Sequence, residues 1–239
     1  IEPPDRFPLV FYRENAADVQ LTIDDVLAAP LEKARAFEFA GTNLAKEPSR
    51  SATFFAAERA RRAGAKVFMD LDFRADQWHD IRAFGLAVRA ILKQVHVVIG
   101  TEQEIKATAV QREDQLVIRH SQLSETEVVG ELDSAARMLL EQGPEAVVIK
   151  RGPKGAAVQL SNGELVEASG FQVQVYKVLG AGDAFASGLI YGVLKGWDWH
   201  RSMRMGNACG AIIVTRPGCA NFMPSEQEAL AFIQQHGGF

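Results

Sequence analysis

Gly180-Ala181-Gly182-Asp183 stands between Val178 and an apolar run that continues to Ile190. Two glycines around one alanine allow a tight turn with its N–H groups uncovered, and a helix that begins there adds the positive end of its dipole. Such a place attracts phosphate. Asp183 falls in the first turn of that helix, where two roles are open. Its carboxylate can cap the backbone, or, if it faces a cleft, it can take a proton from an incoming hydroxyl. A transferred phosphoryl group would repel an aspartate at this point, so the role of general base toward a sugar alcohol is the one that gives the placement a reason.

Three further groups of residues carry possible chemistry. Asp70, Asp72 and Arg74 follow the strand-like residues 66–70, at a carboxyl end of the kind where open α/β sheets bind ligands. The planar fork of Arg74 matches a carboxylate, and the bland alternative is that the three residues pair among themselves. Glu104 lies in the first turn of a helix that starts after the strand-like residues 94–99, where an acid stabilises the helix dipole. Lys150, Gly152 and Gly155 form a turn that permits close backbone approach, with Lys150 able to sense phosphate; hairpin turns are rich in glycine for other reasons too.

The elements that must hold these residues read as alternating strands and helices. Thr22 caps a helix through Leu27 and Leu31; residues 36–40 form a strand that ends at Gly41-Thr42. Pro48 opens an Ala- and Arg-rich helix that stops at Gly64, and residues 66–70 form the next strand. Asp133 caps a helix that Gly143 ends, and residues 145–150 form another strand. Residues 157–160 and 165–166 pair as a hairpin through Ser161-Asn162-Gly163. The helix after Gly182 is apolar on most sides and ends at Gly196; a small-residue helix covers 203–214, and Ser225 with Glu228 makes a capping box for the last helix. A rhythm of this kind, about 30 residues per unit, predicts right-handed βαβ units and a largely parallel sheet covered by helices.

Composition removes other classes of function. The 239 residues are enough for one well-cored α/β domain, and 47% apolar with 23% charged residues is ordinary for a globular chain. A net charge of −4 gives no electrostatic case for nucleic acid or an anionic membrane as partner. Cys209 and Cys219 form no C-x-x-C pair and lie among small residues, which suggests buried free thiols in a reducing cytoplasm. The five histidines have no zinc-type spacing.

At Gly180-Ala181-Gly182-Asp183 the chain resembles the ribokinase-like (PfkB) carbohydrate kinase family, whose signature is this motif opening a helix. The likeness runs from Phe11 to Pro224 and includes 206–210 and 214–218. It implies a three-layer α/β/α fold with a small β-strand lid, to which residues 1–15 belong, and a kinase domain over 16–239. Relatives carry a segment before the point where this chain opens, including a glycine-bearing strand, so the lid is expected to be cut at its front. The implied reaction is transfer of the γ-phosphoryl group of ATP, with Mg2+, to the 6-hydroxyl of 5-dehydro-2-deoxygluconate. 2-Keto-3-deoxygluconate and fructose are the alternative substrates, and a nucleotide-binding fragment without activity is the alternative of another class.

By the same resemblance Asp183 is the base and Gly180, Ala181 and Gly182 hold the developing charge. Phe11, Arg13 and Arg74 meet the sugar acid, although the family's Asp-x-Asn-x-Arg here carries Asp72 in place of the asparagine. Lys150, Gly152 and Gly155 border the nucleotide, Asn207 meets adenine, and Glu104 acts near magnesium through water, with Thr101 where the family has asparagine. Relatives often bind a monovalent cation near this loop and near 217–219; where many have Asp-Thr, this chain has Lys177 and Val178. A cytoplasmic homodimer through the lid strands is the implied assembly.

Overall fold

The structure is a computed structural model that describes residues 15–118 and 126–239. In chain order its elements are α1 (Ile23–Ala28), β1 (Ala36–Ala40), α2 (Ser49–Arg62), β2 (Lys66–Asp70), α3 (Ile81–Ile91), β3 (Val97–Thr101) and α4 (Glu102–Ala107). There follow β4 (Leu116–Ile118), β5 (Thr126–Val128), α5 (Leu132–Leu140), β6 (Ala146–Lys150), β7 (Ala156–Leu160) and β8 (Leu165–Ala168). Three helices close the chain: α6 (Ala181–Leu194), α7 (Trp199–Val214) and α8 (Glu226–Gln235).

The six main strands lie in the order β1-β2-β3-β6-β7-β8, and β4 with β5 makes a separate antiparallel ribbon. β1 pairs in parallel with β2, Ala36 opposite Lys66, and β2 in parallel with β3, Phe68 opposite Val97. Val67, Phe68 and Met69 of β2 are fully buried, as are Val97, Val98 and Ile99 of β3, the continuous apolar pattern of parallel strands covered on both faces. This is the open, mostly parallel α/β sheet that the strand and helix rhythm predicts. Residues 1–14, which hold the expected lid strand with Phe11 and Arg13, lie outside the described residues.

The described residues form two compact units, one of 15–148 with 159–164, the other of 149–158 with 165–239. In the first, α3 turns Ile81, Phe84, Val88 and Ile91 inward at helical spacing, and α2 packs its alanines beside Val26. In the second, α6 and α7 approach closely because glycine stands at the contacts. A Cβ on Gly188 would lie 2.8 Å from the Met205 carbonyl oxygen, and one on Gly192 would lie 2.7 Å from the Ser202 hydroxyl.

Several boundaries differ from the sequence expectation for local reasons. The helix capped by Thr22 ends at Ala28 instead of reaching Leu31, because Ala29 precedes Pro30 and is held extended. Asp133 sits inside the first turn of α5, and Glu131 is its N-cap. α7 begins at Trp199, ahead of residue 203, because Asp198 caps it by accepting the Arg201 N–H at 2.8 Å. β3 begins at Val97 because residues 92–94 extend α3 as a 3₁₀ turn. The β4–β5 ribbon is an addition to the predicted elements.

Candidate active site

The mouth of α6 is built differently from the other capped helices. In α1, α4 and α8 a hydroxyl residue is the N-cap, and an acid three positions on returns to it: Thr22 with Asp25, Thr101 with Glu104, Ser225 with Glu228. α6 has Gly180 in the capping place, at φ 85°, with Asp183 at the third helical position. A left-handed cap suits glycine, and it brings no side-chain oxygen to the amides of the first turn. Asp183 is solvent-exposed, and its backbone carbonyl accepts the Ser187 hydroxyl at 2.8 Å.

Lys150, at the end of β6, approaches the same helix mouth. A Cβ placed on Gly182 would lie 3.5 Å from the Lys150 ammonium, so the lysine stands against the first turn of α6 at Gly182, and the Ala181 N–H is given to the Val178 carbonyl at 3.1 Å. An ammonium beside helix N-terminal amides is a seat for an anion such as a phosphoryl group. Asp183, on the first turn beside it, is a carboxylate able to accept a proton from an alcohol.

The loop that leads into α6 is fixed by residues that the motif reading passed over as participants. Lys177 is 5% exposed, and its ammonium donates to the Leu179 carbonyl at 2.5 Å. The Cys219 thiol donates to the same carbonyl at 3.3 Å, and its sulfur lies 2.8 Å from where a Cβ on Gly180 would be. Cys219 is only half-buried, in contrast to the expectation of two buried thiols; Cys209 is buried, and desolvation pushes its thiol up to about 11. A lone lysine three residues before Gly180 was the signal for Lys177, and nothing in the local pattern marks Cys219.

Gly152 and Gly155 have different reasons to be glycine. Gly152, at φ 56°, has open space on its Cβ side, whereas a Cβ on Gly155 would collide with the Ala168 carbonyl oxygen at 2.1 Å. Gly155 therefore serves the close packing of its turn against the end of β8. Asn207 is buried, and its side-chain N–H groups donate to the Ala168 and Ser169 carbonyls, each at 3.1 Å. It ties α7 to the end of β8, a fixing role that the sequence does not reveal.

The second group lies in the other unit. Asp72 adopts φ 35° past the end of β2; its Oδ1 pairs with Arg74 Nη2 at 2.6 Å and its Oδ2 accepts the Thr42 hydroxyl at 3.2 Å. The internal pairing weighed in the sequence is thus the arrangement of Asp72 and Arg74, and Thr42 joins them from the end of β1. Glu104 is buried and closes the α4 capping box, its Oε2 accepting the Thr101 N–H at 2.7 Å. Thr101, in the family's asparagine position, is a helix cap here. Among the described residues no three His, Cys, Asp or Glu side chains are grouped to hold a metal. Among them, too, no helix is long and apolar enough to cross a membrane.

The curated 5-dehydro-2-deoxygluconokinase of Shouchella clausii is 32% identical over 232 residues, covering 97% of this chain and 66% of its own length. The chain thus spans just under two thirds of that relative. A fructokinase double mutant from Vibrio cholerae, solved with fructose, ADP and potassium ion bound, is 26% identical with a TM-score of 0.75 over 92% of this chain and 66% of its own. A putative ribokinase II from E. coli, in complex with ATP and Mg2+, is 25% identical with a TM-score of 0.75, covering 90% of this chain and 64% of its own. The profile of the pfkB family carbohydrate kinases matches residues 5–226, and with the glycine-capped helix and its aspartate in place, the chain belongs to that family.

Proposed function

We propose that the chain is an ATP-dependent kinase whose preferred acceptor is the 6-hydroxyl of 5-dehydro-2-deoxygluconate, a sugar acid of myo-inositol breakdown. The observation that carries the reading is the α6 mouth, where Gly180 is left-handed, Gly182 faces the Lys150 ammonium and Asp183 is exposed on the first turn. Asp183 draws the proton from the sugar hydroxyl as its oxygen attacks the γ-phosphorus. The amides of Gly180 and Gly182, with Lys150, offset the negative charge that grows on the transferred group, while the Ala181 N–H, expected to share this role, instead closes the turn on the Val178 carbonyl at 3.1 Å. Lys150 and Gly152 border the nucleotide, and Gly155 and Asn207 keep the adjoining turn and the end of β8 in place. Mg2+, when bound with the nucleotide, would neutralise phosphate charge, and Glu104 is the residue that would act on it, through water.

The acid substrate is supported by the name of the 32% identical relative and by Arg74, with Phe11 and Arg13 as the further expected contacts. A neutral ketose is a second reading. It is favoured by Asp72, which already answers the charge of Arg74, and by the 26% identical fructokinase. Release of ADP measured with 5-dehydro-2-deoxygluconate, 2-keto-3-deoxygluconate and fructose separates these substrates, and a preference for fructose overturns the acid assignment. Asp183→Asn should bind ATP while turnover falls by about a hundredfold or more. Near-normal turnover of that variant removes Asp183 from the mechanism, and ATP binding without turnover on any sugar favours a non-catalytic nucleotide-binding role.

A further inference from the structure

We propose that the buried ammonium of Lys177 is a built-in cation of the anion-binding loop, standing where a bound monovalent ion would otherwise hold it, so that this chain needs no potassium to bind nucleotide. The inference rests on the kinase reading above. Lys177 is 5% exposed, and its ammonium bonds the Leu179 carbonyl at 2.5 Å while lying 3.9 Å from the Cys219 sulfur. A buried charge of this kind persists only when something compensates it.

The compensation has a direction. The Tyr176 and Lys177 N–H groups both donate to the Val214 carbonyl, at 2.8 and 3.1 Å, which fixes this segment at the C-terminal end of α7, the end that favours positive charge. The Leu179 carbonyl and the Gly180 N–H belong to one planar trans peptide and point in opposite directions. Drawing the carbonyl onto Lys177 therefore turns the Gly180 N–H away from the lysine. Lys177 is a positioning residue for the loop, acting through Leu179.

The residues present do not suit a bound monovalent cation at this place. The carbonyl that would ligate one is already engaged by an ammonium and by a thiol, and a second cation next to Lys177 would be repelled in a poorly hydrated site. The resemblance puts an Asp-Thr pair where Lys177 and Val178 stand, an exchange of negative for positive charge at the position. The 26% identical fructokinase was solved with potassium ion bound, so the difference is testable within the family.

The test compares KCl with choline chloride at equal ionic strength, reading thermal unfolding by fluorimetry and ATP binding by calorimetry. The wild-type chain should show the same midpoint and the same ATP affinity in both salts. Lys177→Met should bind ATP on the order of tenfold more weakly in choline chloride, the loss of one charge-assisted bond. Lys177→Ala should regain stability and affinity on addition of methylammonium chloride, which a residue that only filled space would not do. A potassium-specific rise in the wild-type midpoint or affinity overturns the proposal, as does a Lys177→Ala chain that methylammonium leaves unchanged. If the variants fail to fold, the wild-type salt comparison still decides it. If ATP binds in no salt, the kinase reading fails, and the two unfolding comparisons still judge Lys177.

Discussion

Gly182→Ala separates the needs of the fold from those of the anion seat. Gly182 is the second residue of α6 and its φ is not positive, so alanine meets no backbone strain there. The new methyl would lie 3.5 Å from the Lys150 ammonium, an ordinary contact. Replacing glycine by alanine within a helix stabilises it by about 0.5 kcal/mol, which for a chain of this size raises the unfolding midpoint by roughly 1–2 °C. The same methyl leaves no room for an oxygen between Lys150 and the first-turn amides. Because one donor to a developing oxyanion is worth about a hundredfold in turnover, and here the lysine and at least one amide are screened together, the loss should be a hundredfold or more. Calorimetric ATP binding should weaken as well, on the order of tenfold. Unfolding by fluorimetry and ADP release measure the two sides. A variant with a raised midpoint and unchanged turnover and ATP affinity would show that no phosphoryl group sits between Lys150 and α6, and the proposed site would fall with it.

Gly155→Ala should do the reverse, harming stability before function. A Cβ there lies 2.1 Å from the Ala168 carbonyl oxygen and the backbone is at φ 95°, so the cost is about 3 kcal/mol, seen as a midpoint lower by roughly 6–12 °C; a shift under about 2 °C would contradict it. The buried Cys209 thiol, pushed up to about 11 from 9.0, gives an alkaline dependence. Its stabilisation is fully present below the unfolded value and is lost as pH rises toward the folded one, because the unfolded chain releases the proton first. Between about pH 8 and about pH 10.5, wild type should lose on the order of 2 kcal/mol more in urea unfolding than Cys209→Ala, and equal losses would contradict the burial argument.

The parallel sheet was legible because buried strands such as 66–70 and 97–101 write their environment into a continuous apolar run, and because Gly64 and Gly143 stop helices where a positive φ is needed. The α6 mouth was legible for the same local reason: two glycines and an aspartate at fixed spacing leave few other structures. Long-range partnerships were not. That Asn207 bonds the end of β8, or that Cys219 and Lys177 meet at the Leu179 carbonyl, depends on residues separated by 38 to 42 positions, which no local pattern encodes. The pairing of Arg74 with Asp72 was weighed from spacing alone, but Thr42, from 30 positions away, is what completes it.

The four helices with an acid at the third position form an internal comparison that bears on Asp183. In α1, α4 and α8 the acid accepts the N–H of the cap at 2.7 or 2.8 Å while the cap hydroxyl accepts the acid's own N–H, which satisfies two amides within the helix. Each such reciprocal pair makes a helix end complete in itself. Gly180 has no hydroxyl to offer, and its left-handed φ would place a Cβ 2.8 Å from the Cys219 sulfur, so a serine or threonine cap could not be accommodated without moving the loop that Lys177 holds. The helix thus keeps an end that its own cap does not close, and stability alone would favour a hydroxyl cap by about 0.5 kcal/mol or less. Such small but uncompensated concessions are expected where an end must remain able to receive an outside acceptor. Glu104 is buried in its box while Asp25 and Glu228 are exposed in theirs, so exposure does not set Asp183 apart from these acids; the missing hydroxyl at Gly180 does.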